Sequence, residues 1–363
     1  MVKSCYIHIP FCEKICSYCD FCKLFYNEKL VDQYLEALEK EIITRYQGEV
    51  LETIYIGGGT PSSLNSRQLW RLFEIINKLE ISEKAEFTVE CNFANTTKEK
   101  LEIFKKNKVN RLSFGLETIN KKHLELLERF EEKKQIVGII KAARECGFNN
   151  INVDLMYALP GEKIIDLQED LEFIKFLNVE HISCYSLMIE EHTKLFINGV
   201  KNISEDKDFA MYNYICRWMR ECGYQHYEIS NYAREGFQSR HNLVYWDNKE
   251  YYGFGLGASY FLGNRRGSNT KSITKYLKGD YLGEVEVLEK KDFIFYEIML
   301  NLRKAEGIDL NKLTSMFGVT IDYKFLLEKK LVKVVGTRLF IPEDKWYVSN
   351  EIIATLLEGV RNE

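Results

Sequence analysis

The sequence predicts an α/β protein in which an incomplete parallel barrel of six β/α units precedes a C-terminal α+β region. The first observation behind this prediction is that short apolar runs, rich in β-branched and aromatic residues, alternate with segments of helical periodicity. Such alternation favours βαβ units and a parallel sheet. The second observation is the number of units, since six are too few for the eight of a complete TIM barrel.

The elements of the barrel follow in order along the chain. The predicted strands are Tyr6–Ile9, Thr53–Ile56, Glu86–Glu90, Arg111–Phe114, Asn150–Leu155 and His181–Ser186. The predicted helices between them are Val31–Ile43, Gln68–Leu79, Glu99–Lys105, Lys134–Cys146 and Ile165–Phe176. In such folds the functional groups lie at the carboxyl ends of the strands, so a site is expected in the loops that follow them.

The regular alternation ends after the sixth unit. A helix is predicted over Asp206–Cys222 and a strand over Gln225–Ile229, and from about Ala233 the pattern loosens and glycine becomes frequent. The predicted division is therefore a barrel core over residues 1–232 and a connecting region over residues 233–285.

The last part of the chain, residues 286–363, is predicted to form a separate domain. Helical patterns at Lys290–Leu302, Leu310–Met316 and Tyr323–Lys329 come first. Two apolar runs on either side of Gly336-Thr337 then predict a hairpin. Three helices followed by a hairpin resemble a winged-helix unit.

The composition is that of an ordinary globular chain. Of 363 residues, 45% are hydrophobic and 29% charged, and the formal net charge is −4. This balance lacks the basic footprint of nucleic-acid binding, so nucleic acid is not expected as a partner. No apolar run reaches the roughly 18 residues of a membrane span, and no secretory signal pattern is present. Ten cysteines without such a signal indicate metal binding or catalysis in the cytoplasm rather than disulfides.

The loop after the first predicted strand contains Cys12, Cys16 and Cys19 at the spacing C-x3-C-x2-C. Fe–S clusters are held by cysteine thiolates, and three ligands leave one iron of a [4Fe–4S] cluster open for chemistry. Two alternatives use Cys22 as a fourth ligand, in a closed zinc site or a closed cluster. Zinc ribbons usually divide their ligands into two separated pairs, whereas these four cysteines lie within eleven residues. The spacing therefore favours the open Fe–S site.

Further groups suited to ligand binding follow the later strands. The run Gly57–Pro61 follows the second strand, and glycines without Cβ let the backbone approach a ligand closely. Such a run is often only a turn, and this one lacks the Gly-Lys-Ser/Thr of a P-loop. Four charged residues lie in or after the third to fifth strands, namely Glu90, Glu117, Arg129 and Asp154. Each alone would also fit a salt-bridged charge, but together they complete a candidate cavity.

The connecting region contains the segment Arg240–Trp246, with the sequence Arg-His-Asn-Leu-Val-Tyr-Trp. A neutral imidazole is a haem iron ligand, and aromatic faces can stack on a porphyrin. As a bare pattern this segment is unspecific, because a histidine satisfied in the core or at the surface explains it more simply.

These motifs together resemble radical S-adenosylmethionine (SAM) proteins, which have an incomplete barrel of this kind. The three-cysteine loop and the Gly-Gly pair after the second strand are typical of that superfamily. Nearly the whole chain resembles its members related to oxygen-independent coproporphyrinogen III oxidase, in the segments Tyr6–Cys12, Gly57–Pro61, Arg111–Gly115, Asp154–Gly161 and Tyr227–Ala233. Within that family, His241–Trp246 is similar to the H-N-x-x-Y-W motif of a haem-chaperone branch, whose members bind haem and hand it to haem proteins.

The resemblance implies a role for each matched residue. Cys12, Cys16 and Cys19 would ligate a [4Fe–4S] cluster whose open iron chelates SAM. The residues implied in SAM binding are Tyr6, Gly58, Gly59, Thr60, Glu90, Glu117, Arg129 and Asp154, with Tyr18 packed nearby. The residues implied in haem binding are His241, Tyr245 and Trp246. The family usually has Gln at the position of Glu117, and an ionised carboxylate can only accept hydrogen bonds there.

Two departures favour the chaperone branch over the oxidase. The oxidase has a fourth cysteine where this chain has Phe21, with Cys22 displaced by one residue, and it has a long N-terminal extension. The resemblance therefore implies a haem chaperone with a SAM-bound [4Fe–4S] cluster, whose partners are haem and acceptor haem proteins such as those of the respiratory chain. The alternative is a radical SAM oxidoreductase of the oxidase type. Cleavage of SAM would in either case require an electron donor.

Overall fold

A computed structural model describes residues 1–362 of the chain. Six parallel strands form the centre of a nine-stranded sheet. They are Ser4–Ile9, Leu51–Gly58, Ile81–Cys91, Arg111–Glu117, Ile151–Tyr157 and His181–Ser186. Each pairs in parallel with the next one along the chain. The prediction of an α/β fold with an incomplete parallel barrel is confirmed.

Helices connect or follow these strands, and most of them pack with the strands in one core. They are Glu28–Arg45, Ser66–Ile76, Lys98–Lys106, Lys121–Leu127, Lys133–Glu145, Ile164–Leu177, Lys194–Ile197 and Glu205–Glu221. Leu72 and Phe73 of the second helix, for example, are buried in the same cluster as Ile54 of the second strand. Leu127 and Leu195 lie in a second, smaller apolar cluster. None of the helices in residues 1–362 has the length and the apolar character needed to cross a membrane.

The sheet continues beyond the six parallel strands on both sides. On one side Asn231–Ala233 pairs antiparallel with the sixth strand, and Gln225–Glu228 pairs with Asn231–Ala233. On the other side Tyr252–Phe254 pairs in parallel with the first strand. The two strands that the sequence did not predict have three residues each, which is too short for a periodic signal. The segment after Ala233 thus contributes a strand to the main sheet.

The remainder of the region up to residue 287 consists of a small antiparallel sheet and two helices. The strands are Ser259–Leu262, Arg265–Asn269 and Leu282–Val287, and the helices are Arg240–Trp246 and Ile273–Leu277. Glu41 on the first barrel helix anchors this region. Its buried carboxylate accepts hydrogen bonds from Asn269 Nδ2 at 2.7 Å, Tyr276 Oη at 2.7 Å and the Gly255 amide at 2.8 Å. Because a buried carboxylate is stable only with such partners, these contacts fix the region to the barrel.

The C-terminal part is an α+β unit with the expected order of three helices and a hairpin. Its helices are Lys290–Asn301, Leu310–Phe317, Lys324–Glu328 and Ser349–Glu358. Its strands are Ile308–Asp309, Val319–Ile321, Lys333–Val335, Arg338–Phe340 and Val360–Asn362. The hairpin joins Lys333–Val335 to Arg338–Phe340, and Gly336 at its turn has a φ of +59°, which suits a residue without Cβ.

Candidate functional site

A cavity of about 470 Å³ opens among the carboxyl ends of the parallel strands and their loops. Many of its lining residues are those selected from the sequence: Cys12, Cys16, Tyr18, Cys19, Gly58, Gly59, Thr60, Glu90, Glu117, Arg129 and Asp154. They come from the first five parallel strands or from the segments that follow them. The structure therefore brings together most of the residues chosen for cluster and SAM binding.

The cysteine loop lies between the short strands Phe11–Cys12 and Leu24–Phe25, which pair in parallel. The Ser17 hydroxyl fixes the middle of the loop by donating to the carbonyl oxygen of Leu126 at 2.6 Å. Burial raises the pKa of all three thiols on the cavity wall, that of Cys12 to about 11. These cysteines must lose their protons when they bind a metal, so metal binding here releases protons.

Two donors face the sulfur atoms of the loop. Thr60 Oγ1 lies 3.4 Å from Cys12 Sγ, and Arg129 Nη1 lies 3.9 Å from Cys16 Sγ. A nearby hydrogen-bond donor or cation stabilises a thiolate, so both contacts favour the form that binds iron.

Cys22 differs from the other three cysteines because it does not line the cavity. Its carbonyl oxygen lies 2.7 Å from His8 Nε2, behind the glycine loop. In the described residues, no three sulfur atoms of this loop lie within 4.8 Å of one another. Three thiolates with Zn–S bonds of about 2.3 Å could not share one zinc ion at that spacing. In this conformation the loop does not form a site for a single zinc ion.

The glycine loop after the second strand is packed so closely that side chains would clash. A Cβ at Gly57 would lie 2.7 Å from the carboxyl carbon of Glu90, and a Cβ at Gly58 would lie 2.5 Å from the His8 ring. Gly58 also has a φ of +113°, a conformation that residues with a Cβ rarely adopt. These glycines leave backbone groups of the loop at the cavity surface.

Glu90 connects the third strand to the glycine loop. Its Oε2 accepts a hydrogen bond from the Gly58 amide at 2.9 Å, and its Oε1 accepts one from Tyr55 Oη at 2.8 Å. Burial raises the pKa of Glu90 to about 7, against the effect of these two hydrogen bonds. A carboxylate in this place can accept a hydrogen bond from an ammonium group or a hydroxyl group.

Glu117, Tyr18 and Arg129 form a connected group beside the cysteine loop. Tyr18 Oη donates to Glu117 Oε1 at 2.9 Å, and Arg129 Nη1 lies 3.5 Å from the same oxygen. Burial raises the pKa of Glu117 to about 7, although the charge of Arg129 acts in the opposite direction. Glu117 also has a φ of +61°, and such strained backbone is found at functional sites.

Asp154 and Tyr6 are placed differently with respect to the cavity. Asp154 lines it and accepts a hydrogen bond from Asn152 Nδ2 at 2.8 Å. Tyr6 does not line it; its hydroxyl oxygen lies 2.9 Å from Nδ1 of His8, the ring that packs against Gly58. Contact between Tyr6 and SAM stays a prediction, and the observed geometry links Tyr6 to the glycine loop only through His8.

The helix Arg240–Trp246, called the motif helix below, contains the three residues implied in haem binding. His241 is completely buried and does not line the cavity. Its Nδ1 lies 2.8 Å from Thr53 Oγ1, and its Nε2 lies 2.7 Å from Tyr245 Oη. Burial lowers the pKa of His241 to about 3, so the ring is neutral. Tyr245 and Trp246 do not line the cavity either, and the haem contacts of this motif stay a prediction.

The motif helix is held by a carboxylate at its N-terminus. Glu86 on the third strand accepts hydrogen bonds from the amides of Arg240 and His241, both at 2.9 Å. Negative charge at a helix N-terminus is stabilising. The neighbouring residue Asn242 does line the cavity, so this helix contributes to the cavity wall.

Several polar residues of the cavity were not selected from the sequence: Tyr55, Arg111, Ser113, Asn152 and Ser183. A signal for two of them was present in the fourth strand. Arg111, Ser113 and Glu117 alternate with Leu112 and Phe114, and alternate residues of a strand face the same side. The polar positions of this strand therefore predict which side faces the cavity.

The mouth of the cavity combines apolar and basic side chains. Phe21 is 62% exposed and Met188 is 68% exposed, and both line the cavity. Ile15 adds apolar surface, and Lys14 and Lys23 add positive charge. Exposed apolar side chains grouped around a cavity are typical of a binding surface.

Comparison with known proteins gives consistent results. Residues 6–174 match the family model described as the Radical SAM superfamily. The chain is 37% identical to a protein from Lactococcus lactis named "Heme chaperone HemW", with 98% of this chain and 97% of the relative covered. A protein of the same name from Bacillus subtilis is also 37% identical, with 98% and 99% covered.

One solved structure has the same fold over almost the whole chain. It is the coproporphyrinogen III oxidase HemN from Escherichia coli, described as a radical SAM enzyme, with a TM-score of 0.87. The alignment covers 98% of this chain and 90% of that one at 22% identity. At this level of identity the similarity shows a shared fold and does not show a shared activity.

Proposed function

Because the chain belongs to the HemW family of radical SAM proteins, we propose that it is a haem chaperone, which binds haem and transfers it to acceptor haem proteins. The observation that carries this proposal is the similarity, over nearly the full length of both chains, to proteins named as heme chaperones. Acceptors of the respiratory chain and a cytoplasmic location belong to the same proposal.

The radical SAM family implies a [4Fe–4S] cluster and SAM. Cys12, Cys16 and Cys19 would hold the cluster, since all three line the cavity and two of them face a donor. The cluster would supply an open iron and an electron for SAM chemistry. SAM would occupy the cavity against the glycine loop and the charged residues Glu90, Glu117, Arg129 and Asp154.

The side chains at the mouth of the cavity suit a ligand with the chemical groups of haem. A porphyrin has large apolar faces, which match the exposed side chains of Phe21 and Met188. Its two propionates are anionic, and cationic side chains that could pair with them line the same cavity, among them Lys14, Lys23 and Arg111.

The experiment that tests the proposal is anaerobic reconstitution of the cluster followed by haem titration, with and without SAM. We expect a Soret band that saturates with haem, and a transfer of that haem to an added apo-haem protein. Reconstituted protein that gives no Soret band, or that keeps its haem in the presence of the apo-acceptor, would contradict the proposal.

A second candidate is an oxidoreductase of the coproporphyrinogen III oxidase type. It is favoured by the cavity itself, in which an open cluster would lie beside a set of SAM-binding side chains. Its test is an anaerobic assay of the reconstituted protein with coproporphyrinogen III, SAM and a reductant. Sustained formation of protoporphyrinogen IX would establish this activity, whereas absence of product alongside haem transfer would exclude it.

A further inference from the structure

Among the described residues, the side chain of Arg111 in the cavity has no ion pair or hydrogen bond to match its charge. It is 1% exposed and lines the cavity. Within residues 1–362 its guanidinium group makes no hydrogen bond and no ion pair, and its buried Nε has no partner. Buried arginines in proteins are almost always paired, because an unpaired buried charge is strongly destabilising.

The nearest carboxylates are committed to other partners. Glu90 accepts hydrogen bonds from Tyr55 and from the glycine loop, and Asp154 accepts one from Asn152. Burial raises the pKa of both carboxyl groups, and the positive charge of Arg111 acts to lower it. In the part of the chain described, however, no carboxylate oxygen lies within 4.0 Å of the Arg111 nitrogens. The protein therefore supplies a positive charge at this point and no anion to match it.

Arg111 lies at the inner end of the cavity. It begins the fourth strand, whereas Glu117 ends that strand beside the cysteine loop. At about 3.3 Å per residue the two Cα atoms are roughly 20 Å apart. Three neutral polar residues near the starts of the fourth to sixth strands also line the cavity, namely Ser113, Asn152 and Ser183.

We propose that Arg111 is a carboxylate-binding residue at the inner end of the cluster cavity. A guanidinium group offers paired N–H donors that match the two oxygens of a carboxylate, and it does so better than the point charge of a lysine. Two ligands of the proposed function contain such a group, haem in its propionates and SAM in its methionine portion. The open iron of the cluster would already hold the methionine portion of SAM beside the cysteine loop, so the propionates of haem are the expected source of the carboxylate. The assignment to haem rests on the proposed function.

The test compares Arg111→Gln and Arg111→Lys with the wild-type protein after cluster reconstitution. Binding is measured for haem, for haem dimethyl ester, in which both propionates are blocked, and for SAM. Because Arg111→Gln removes a charged hydrogen-bonding partner, the affinity for the affected ligand should fall roughly 10- to 100-fold. Arg111→Lys should retain part of the affinity, because it keeps the charge and loses the paired geometry.

The pattern across the three ligands identifies the source of the carboxylate. If it is a propionate, Arg111→Gln weakens haem binding and leaves binding of the ester unchanged. If it is the carboxylate of SAM, only SAM binding is weakened. Equal affinities of wild type and Arg111→Gln for both haem and SAM would overturn the proposal.

The matched control is Arg144→Gln. Arg144 is paired with Glu180 at 2.9 Å and does not line the cavity, so this variant removes an arginine without touching the site. Iron content and thermal stability report whether each variant folds and holds its cluster. Wild-type protein that binds no haem would contradict the proposed function, while the SAM arm would still decide the role of Arg111.

Discussion

The Nε2 atom of His241 lies 2.7 Å from the hydroxyl oxygen of Tyr245, one turn further along the same helix. The opposite ring nitrogen of His241 lies 2.8 Å from Thr53 Oγ1. An iron ligand must present a free nitrogen lone pair, and both nitrogens of this buried ring already have a partner. Ligation of haem iron by Nε2 would therefore require Tyr245 to withdraw.

This relationship predicts opposite effects for two substitutions in the motif helix. Tyr245→Phe removes the competing hydroxyl group and should strengthen haem binding by about 1 kcal/mol, the net contribution of one hydrogen bond. His241→Ala should remove much of the haem uptake. Both are measured by haem titration followed at the Soret band. Unchanged haem affinity in both variants would show that this pair serves the fold of the helix and does not bind haem.

Substitution of single cysteines should distinguish the three proposed cluster ligands from Cys22. Cys12→Ser, Cys16→Ser and Cys19→Ser should each lose most of the iron after reconstitution, because each removes one of three thiolates. Cys22→Ser is the matched control and should keep its iron, because Cys22 lies in the same loop but outside the cavity. Iron and sulfide analysis provides the measurement. A large loss of iron in Cys22→Ser would instead favour a closed four-cysteine site.

Glu90→Gln should weaken SAM binding. The change removes a negative charge from the cavity wall beside the glycine loop, where a charged hydrogen bond contributes about 1.5–3 kcal/mol. The dissociation constant for SAM should rise roughly 10- to 100-fold with the cluster still present. Glu99→Gln, on the exposed side of a barrel helix, should leave it unchanged. The same SAM affinity in both variants would exclude Glu90 from the binding site.

Asp170 should make the stability of the fold depend on pH. Its buried carboxylate accepts hydrogen bonds from Thr118 Oγ1 and the Ile119 amide, and burial raises its pKa to about 7. The folded state therefore holds this proton more tightly than the unfolded state, whose pKa is near 4. The stabilisation is complete below about pH 4 and is lost as the pH rises towards 7.

The measurement is urea unfolding of wild type and Asp170→Asn between about pH 4 and pH 7.5. The free energy of unfolding of the wild type should fall relative to that of the variant by about 1–4 kcal/mol over this range. The variant removes the contribution of Asp170 while other titrating groups remain in both proteins. Parallel pH profiles would show that Asp170 has an ordinary pKa.

The barrel and the cysteine loop could be predicted because their signals are local. Six strands and three closely spaced cysteines are each visible within a few neighbouring residues. The surroundings of His241 could not be predicted, because its partner Thr53 is distant in the sequence and the pairing exists only in the folded chain. Tyr6 is different, because its hydroxyl group meets His8 only two residues away, and alternate residues of a strand face the same side. The sequence predicted a role in SAM binding for Tyr6 only through the family resemblance.

The strand Ile81–Cys91 supports two different parts of the site through residues four apart on the same face. Glu86 holds the N-terminus of the motif helix, and Glu90 holds the glycine loop. A ligand that displaces the motif helix would thus act on the strand that also positions the loop for SAM. If haem is such a ligand, thermodynamic reciprocity requires SAM to change haem affinity by the factor by which haem changes SAM affinity. SAM would then act as an effector that sets when haem is held and when it is released.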